Sequence, residues 1–348
     1  MAGASWDGVG GRRATIYDVA REAQVSHETV SRVLKGNPSV KPQNRRRVQE
    51  ALASLNYRPN AAARALATRR SHRIGAMVYD LVEAGPSQFI KGASSAALEA
   101  GYLLDIVSMD SVGADAVENA VELLGQSELA GIIAITPTDR MREIVENTSF
   151  LVPLFQEIEP DISEPGALPS LNATGEELVV DHLVQLGHRR ILHIGGPHDW
   201  VSARNRALAY GRAMLKHSLE PLPVIEGDDW SAASGYAAAQ QIPLDDDITA
   251  LVVSNDQMAL GVLLLLHERG VAVPGHMSVV GFDNIRESAF TIPPLTTVSL
   301  DFQESGRRAV RALLSKIDGN ALPQEAAEDD SRAYLVVRAS SGPVPRIG

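Results

Sequence analysis
The sequence predicts a small all-α helix-turn-helix head joined to an α/β body made of two doubly wound parallel-sheet subdomains. Three observations carry this reading. Residues 1–73 hold 14 Lys and Arg against five Asp and Glu, whereas the whole chain has 32 against 43, so a basic head sits on an acidic body. The head shows apolar residues at 3–4 residue spacing in short blocks, the period of small helices. From Arg73 onward, apolar runs alternate with helical stretches, the pattern of parallel sheets covered on both faces.

The first helix of the head should start after Thr15, because Thr15 with Asp18 three residues on makes a capping box and Ile16, Val19, Ala20 and Ala23 follow at helical spacing. Gln24-Val25 interrupts it. Ser26 caps a second helix over 27–34, with Val30, Val33 and Leu34 expected to face inward. Gly36-Asn37-Pro38 ends it, and a third helix begins near Pro42 and runs through Val48, Leu52 and Leu55. Helix, tight turn, helix is the geometry that lays a second helix in a DNA major groove. His27, Glu28 and Thr29 would lead that helix, with Ser31 and Arg32 one turn on. Arg pairs bidentately with guanine, and Glu accepts from the cytosine amino group. The positive head itself points to a polyanion.

In the body, strands are expected at 74–78, 103–109, 132–136 and 151–155, with helices near 86–100, 114–125 and 138–147. A second set of strands follows at 190–194, 223–225, 251–253 and 279–282. Two such sets suggest two similar subdomains with a cleft between them. Ligands in such sheets lie outside the carboxyl ends of the strands.

Other classes are excluded or weakened. Without cysteine there is no disulfide scaffold, zinc ribbon or thiol catalysis. The longest apolar run, 259–266, falls far short of the roughly 20 residues that span a bilayer. The first residues contain no apolar segment of a secretory signal, so a cytoplasmic protein with no membrane association is expected. No Walker A, GxGxxG or GxSxG pattern occurs, and His182, His188, His193 and His198 are scattered by alternating strand and helix periods. The expectation is a non-enzyme without metal or cofactor. The alternatives are a sugar-binding receptor, which has no use for the head, and a sugar-modifying enzyme, which needs a paired acid and base in the cleft.

Three groups of residues carry a resemblance. Thr15-Ile16-Tyr17-Asp18-Val19-Ala20, then Val25-Ser26-x-x-Thr29-Val30-Ser31-Arg32-Val33-Leu34, then Leu55-Asn56-Tyr57-x-Pro59-Asn60 resemble the head of the LacI/GalR bacterial repressors. Gln24 departs from the glycine usual in the family's turn, a backbone cost of about 1 kcal/mol if φ is positive. In the body, Leu186-Gly187-His188, Gly195-Gly196-Pro197, Ser254-Asn255-Asp256 and Val279-Val280-Gly281-Phe282-Asp283 are similar to the periplasmic-binding-protein type I fold of the same family. The resemblance implies a transcriptional repressor whose operator affinity is set by a small sugar or glycoside.

The same resemblance implies how the chain is divided and which residues act. Residues 1–14 form a disordered tail, 15–58 the DNA-binding domain, and 59–72 a hinge helix. Residues 73–340 bind sugar and dimerise, and 341–348 form a tail. Thr15, Tyr17, Ser26, His27, Glu28, Thr29, Ser31, Arg32, Asn60 and Leu66 contact palindromic operator DNA, with Leu66 wedged in the minor groove. Arg206, Asn255 and Asp283 contact effector hydroxyls, Trp230 forms the apolar wall, and Phe302, Ser202 and Tyr79 lie nearby. One sugar-responsive member of the family has an acidic effector contact where this chain has Thr174 and a Gln where it has Leu300. A lactose-type ligand is therefore disfavoured, and so is a purine, which would need two stacking aromatics. The last residues carry prolines and no heptad, so a homodimer and not a tetramer is expected.

Overall fold
The computed structural model describes residues 14–34, 36–57, 71–109, 113–243, 247–320 and 332–344. They form two units, divided between Ser71 and His72. Asn60, Leu66, Arg12 and Arg13 lie outside the described residues, as do most of the expected hinge and N-terminal tail.

The first unit contains α1 (Ile16–Glu22), α2 (His27–Leu34) and α3 (Pro42–Ser54). The capping box forms: the Thr15 hydroxyl accepts from the Asp18 amide at 3.3 Å, and Asp18 accepts from the Thr15 amide at 2.9 Å. Gln24 sits at φ 51°, so the turn does place a side chain in the left-handed region. Val19, Ala23, Val30, Val48 and Ala51 are buried together. Leu34 is 38% exposed, against the expectation that it faces inward. Neighbours on a helix point about 100° apart, so the face shared by Val30 and Val33 leaves Leu34 beside it.

The second unit begins with alternating β1 (Arg73–Tyr79), α4 (Ala84–Glu99), β2 (Leu103–Met109), α5 (Ala114–Gly125), β3 (Gly131–Ile135), α6 (Asp139–Glu146) and β4 (Leu154–Glu157). These strands make an all-parallel sheet in the order β2-β1-β3-β4. The chain continues through α7 (Leu171–Gln185), β5 (Ile191–Gly195), α8 (Val201–Lys216), β6 (Ile225–Glu226), α9 (Ala232–Ala239), β7 (Ala250–Val253), α10 (Asp256–Glu268), β8 (Ser278–Phe282), a 3-10 turn (Arg286–Phe290) and β9 (Thr296–Leu300). It ends with α11 (Phe302–Ile317) and β10 (Ala333–Val336). The second sheet runs β10-β9-β8-β7-β5-β6. β5, β7 and β8 are buried along their whole length, which is why they read as continuous apolar runs.

Three features differ from the expected plan. β9 and β10 were not among the expected strands, and β10 pairs antiparallel with β9 on an otherwise parallel sheet. α11 leaves the second sheet and packs on the first: Ala309, Val310 and Leu313 share a core with Ile74, Val78, Phe89 and Ile133. Gly92 and Gly306 permit this approach. A Cβ on Gly92 would strike the Gln303 carbonyl, and one on Gly306 the Phe89 carbonyl. Residues 341–344, expected in a tail, are instead part of the second sheet's flank. Ser341 bonds His182 and Thr296, each at 2.9 Å, Gly342 bonds Ser278 and His188, and the Val344 amide donates to Leu186. Among the described residues no helix is long and apolar enough to cross a membrane.

Candidate functional site
In the head, α2 presents one polar face. Ser26, His27, Glu28 and Arg32 are exposed, and Thr29 and Ser31 are partly so. Ser26 caps the helix, its Oγ accepting from the Thr29 amide at 3.2 Å. Tyr17 on α1 is 62% exposed and lies beside His27, with ring centroids 5.3 Å apart. Thr15 is occupied by its capping box. The basic run on α3 is engaged within the head: Arg45 donates to the Asn37 carbonyl at 2.7 Å, Arg46 pairs with Glu50 at 3.1 Å, and Arg47 donates to Gln24 Oε1 at 2.8 Å.

In the body, the carboxyl ends of both sheets open onto one cleft of about 690 Å³. Tyr79, Ser202, Arg206, Trp230, Asn255, Asp283 and Phe302 all line it. Each belongs to the segment where its strand ends: Tyr79 closes β1, Asp283 follows β8, Phe302 opens α11 after β9, and Asn255 caps α10 after β7. Thr174 does not line it, which corrects the expected place of a missing acid. Its hydroxyl donates to the Ser170 carbonyl on the adjacent face, and Glu157 at the end of β4 and Glu159 just after it bring carboxylates to the cleft instead. Leu300 does line it.

Arg206 is the organising cation, only 4% exposed. Its Nε and Nη2 donate to Asn172 Oδ1 at 3.1 and 2.7 Å, and Nη1 donates to the Ser254 carbonyl. The guanidinium lies 3.8 Å from the Phe282 ring centroid and 5.4 Å from that of Trp230, and 3.6 Å from Asp283. Such packing fixes a planar donor fork. Asp283 stands at φ 98° and its Oδ1 has no hydrogen-bond partner, as is also true of Trp230 Nε1. A buried acceptor and a buried donor left open in one cleft are groups a polar ligand would satisfy. Burial raises the Asp283 carboxyl above its ordinary range, and Arg206 opposes this.

Behind this site, Glu176 and His193 are fully buried, with His193 Nδ1 3.0 Å from Glu176 Oε1 but off hydrogen-bond alignment. His193 Nε2 lies 3.3 Å from Ser254 Oγ, which accepts from the Gly196 amide. The Glu-His-Ser order resembles a hydrolytic triad, but all three residues are sealed from any substrate. Its effect is to hold the Ser254 segment whose carbonyl anchors Arg206. Among the described residues no group of three or more His, Asp or Glu is placed to hold a metal ion.

Several cleft residues escaped the sequence reading. Trp200 makes edge contacts with Tyr79 (centroids 5.1 Å) and Trp230 (5.5 Å). Glu83, Asn172 and Arg308 line the same cleft, with Arg308 bonded to Glu157 at 3.0 Å. Trp200 was findable, since it stands between β5 and the Ser202 segment already singled out. Asn172 and Arg308 lie within helices, where no local pattern marks them.

A three-helix module with an exposed polar second helix, on one chain with a two-sheet body whose cleft offers unsatisfied buried polar groups, defines a DNA-binding regulator controlled by a small molecule. Residues 15–60 match the family described as bacterial regulatory proteins, lacI family, and residues 180–341 the periplasmic binding protein-like domain. The chain belongs to the lacI family of bacterial regulatory proteins and is a DNA-binding transcriptional repressor regulated by a small-molecule effector. It is 37% identical to the lactose operon repressor of Escherichia coli (strain K12), over 88% of this chain and 86% of that one. Its fold is similar to the lac repressor dimer bound to operator and the anti-inducer ONPF, with TM-score 0.80 and 32% identity over 95% of this chain and 100% of that one. It is also similar to the transcriptional regulator CelR in complex with cellobiose, with TM-score 0.64 and 26% identity over 94% and 100%.

Proposed function
We propose that this repressor acts in the cytoplasm as a homodimer on a palindromic operator and responds to a sugar or glycoside held in the body's cleft. The observation that carries the ligand class is the Arg206 group. A rigid guanidinium shares one cleft with Asn172, Asn255 and Asp283, whose Oδ1 accepts no hydrogen bond, so polar groups for sugar hydroxyls stand together with Trp230 as an apolar wall. Ser202, Phe302 and Tyr79 would complete the enclosure. Relatives whose names record a lactose operon and cellobiose support the same class.

The operator reading rests on α2. Its exposed His27, Glu28 and Arg32 and partly exposed Ser31 would reach base edges, while Thr15, Tyr17, Ser26 and Thr29 would meet the backbone. One such helix reads a half-site, so two-fold pairing of the protein matches a palindrome. The hinge role of Asn60 and Leu66 rests on family resemblance alone. Footprinting on the DNA beside its own gene, with and without a sugar panel, tests the whole reading. The expected result is a symmetric protected site that one sugar class modulates. Operator affinity unchanged after removal of residues 1–71 would overturn the head's role.

A further inference from the structure
The cleft carries two kinds of chemistry. Arg206, Asn172 and Asn255 suit hydroxyls, but the surroundings of Glu83 do not follow that pattern. Glu83 is the N-cap residue of α4, yet its carboxylate makes no capping bond there. The charged groups acting on it are Asp283, Asp80 and Asp229, all negative. Asp80 and Asp229 each use an oxygen on their own loops, accepting from Val82 and Ser231 at 2.8 Å. Asp283 is nine-tenths buried; its Oδ1 accepts no hydrogen bond and has Arg206 as an ion-pair partner at 3.6 Å, while that guanidinium donates to Asn172 and the Ser254 carbonyl.

Tyr79, Trp200 and Trp230 line the same cleft as Glu83 and Asp283. Trp200 meets Tyr79 at 72° and Trp230 at 82°, so ring faces turn at right angles within the cleft. Carboxylates next to angled aromatic faces stabilise a compact cation by charge pairing and by cation–π attraction. A neutral polyol would bring no positive charge to Glu83, on which Asp283, Asp80 and Asp229 all act.

We propose that the effector is an amino sugar or amino-substituted glycoside, whose protonated amine sits among Glu83, Asp283 and the Trp200 ring while its hydroxyls meet Arg206. This rests on the sugar reading above and narrows it. Burial and the three acids push Glu83 up to about 7, so in the empty cleft near neutral pH it is partly protonated. An incoming ammonium restores its charge, and binding at pH 7 then releases a proton. The groups bearing on this are Asp80 and Tyr79 at the end of β1, Asp229 after β6 and Asp283 after β8, with Asp199 acting on Tyr79 and Arg206 on Asp283.

The test is calorimetry on the full chain at pH 7, in two buffers of different ionisation enthalpy. The probes are matched pairs of gluco- and galacto-configured monosaccharides and β-linked disaccharides, each as the amine, the N-acetyl form and the all-hydroxyl form. One amine should bind about tenfold or more tighter than both its partners, the scale of a hydrogen bond to a charged group, with proton release. Glu83→Gln, which removes no capping bond, should erase that preference and the proton release. An N-acetyl or hydroxyl form binding as well as its amine, or a preference that survives Glu83→Gln, overturns the amine and leaves the sugar reading intact. Binding by no probe removes both.

Discussion

Replacing Arg206 with Met would test whether the buried cation organises the second lobe as well as the ligand. Met keeps an apolar stem of similar length but removes the charge that lies over the Phe282 ring. Asp283, nine-tenths buried, then loses its counter-ion at 3.6 Å, and Asn172 Oδ1 and the Ser254 carbonyl each lose a donor. Breaking a buried pair on one side costs about 3–5 kcal/mol. Part of that is relieved because Asp283, already raised by burial, takes up a proton. Raising a carboxyl's folded-state value makes stability fall as pH rises, so the loss should be larger at pH 8 than at pH 5. Adding Asp283→Asn removes the orphaned charge and should return about 1–3 kcal/mol, the range for directly coupled sites. Urea unfolding followed by tryptophan fluorescence reads this, because Trp200 and Trp230 both face the cleft. A single variant within about 1 kcal/mol of the parent, with no recovery in the double, would refute the argument.

Other outcomes follow from the same geometry. Asp256 accepts from Ser288 and Thr297 at 2.6 Å and from the Ile285 amide at 2.9 Å, yet burial pushes it up to about 7 from an ordinary 3.8. The folded state thus holds that proton more tightly, and stability falls by up to about 4 kcal/mol as pH rises from about 4 through 7. Asp256→Asn should flatten the urea midpoint across that window, and an unaltered slope would discount the group. Gly306→Ala drives a methyl into the Phe89 carbonyl and should cost about 1–3 kcal/mol, read as an earlier unfolding midpoint. A neutral result would mean that α4 and α11 can separate without loss. Glu28→Gln should change base preference at one position per half-site by about 1–3 kcal/mol in selections from randomised operators. The same site returned for both proteins would show that Glu28 reads no base. Operator affinity should drop steeply between about 50 and 200 mM salt if the basic head pairs with phosphates, and a flat titration would exclude that.

What the sequence alone determined is what local physics determines. Thr15 and Asp18 fix where α1 begins because three residues suffice for a capping box. Continuous apolar runs such as Val279–Phe282 mark strands buried on both faces, and strand ends mark where a parallel α/β sheet gathers side chains. Seven residues taken from the family resemblance, from Tyr79 to Phe302, line one cleft, most of them close after strand ends. Chain segments far apart in sequence were decided only in three dimensions. α11 crosses to the first sheet because Gly92 and Gly306 let two helix backbones approach, a fit that no periodicity within either helix announces. Thr174 stands outside the cleft and Glu157 lines it for the same reason: which residue faces the cleft depends on how α7 and β4 are rotated against it, and packing sets that rotation. Glu83 and Asp283, two hundred positions apart in sequence, act on each other through space, and that proximity exists only in the folded chain.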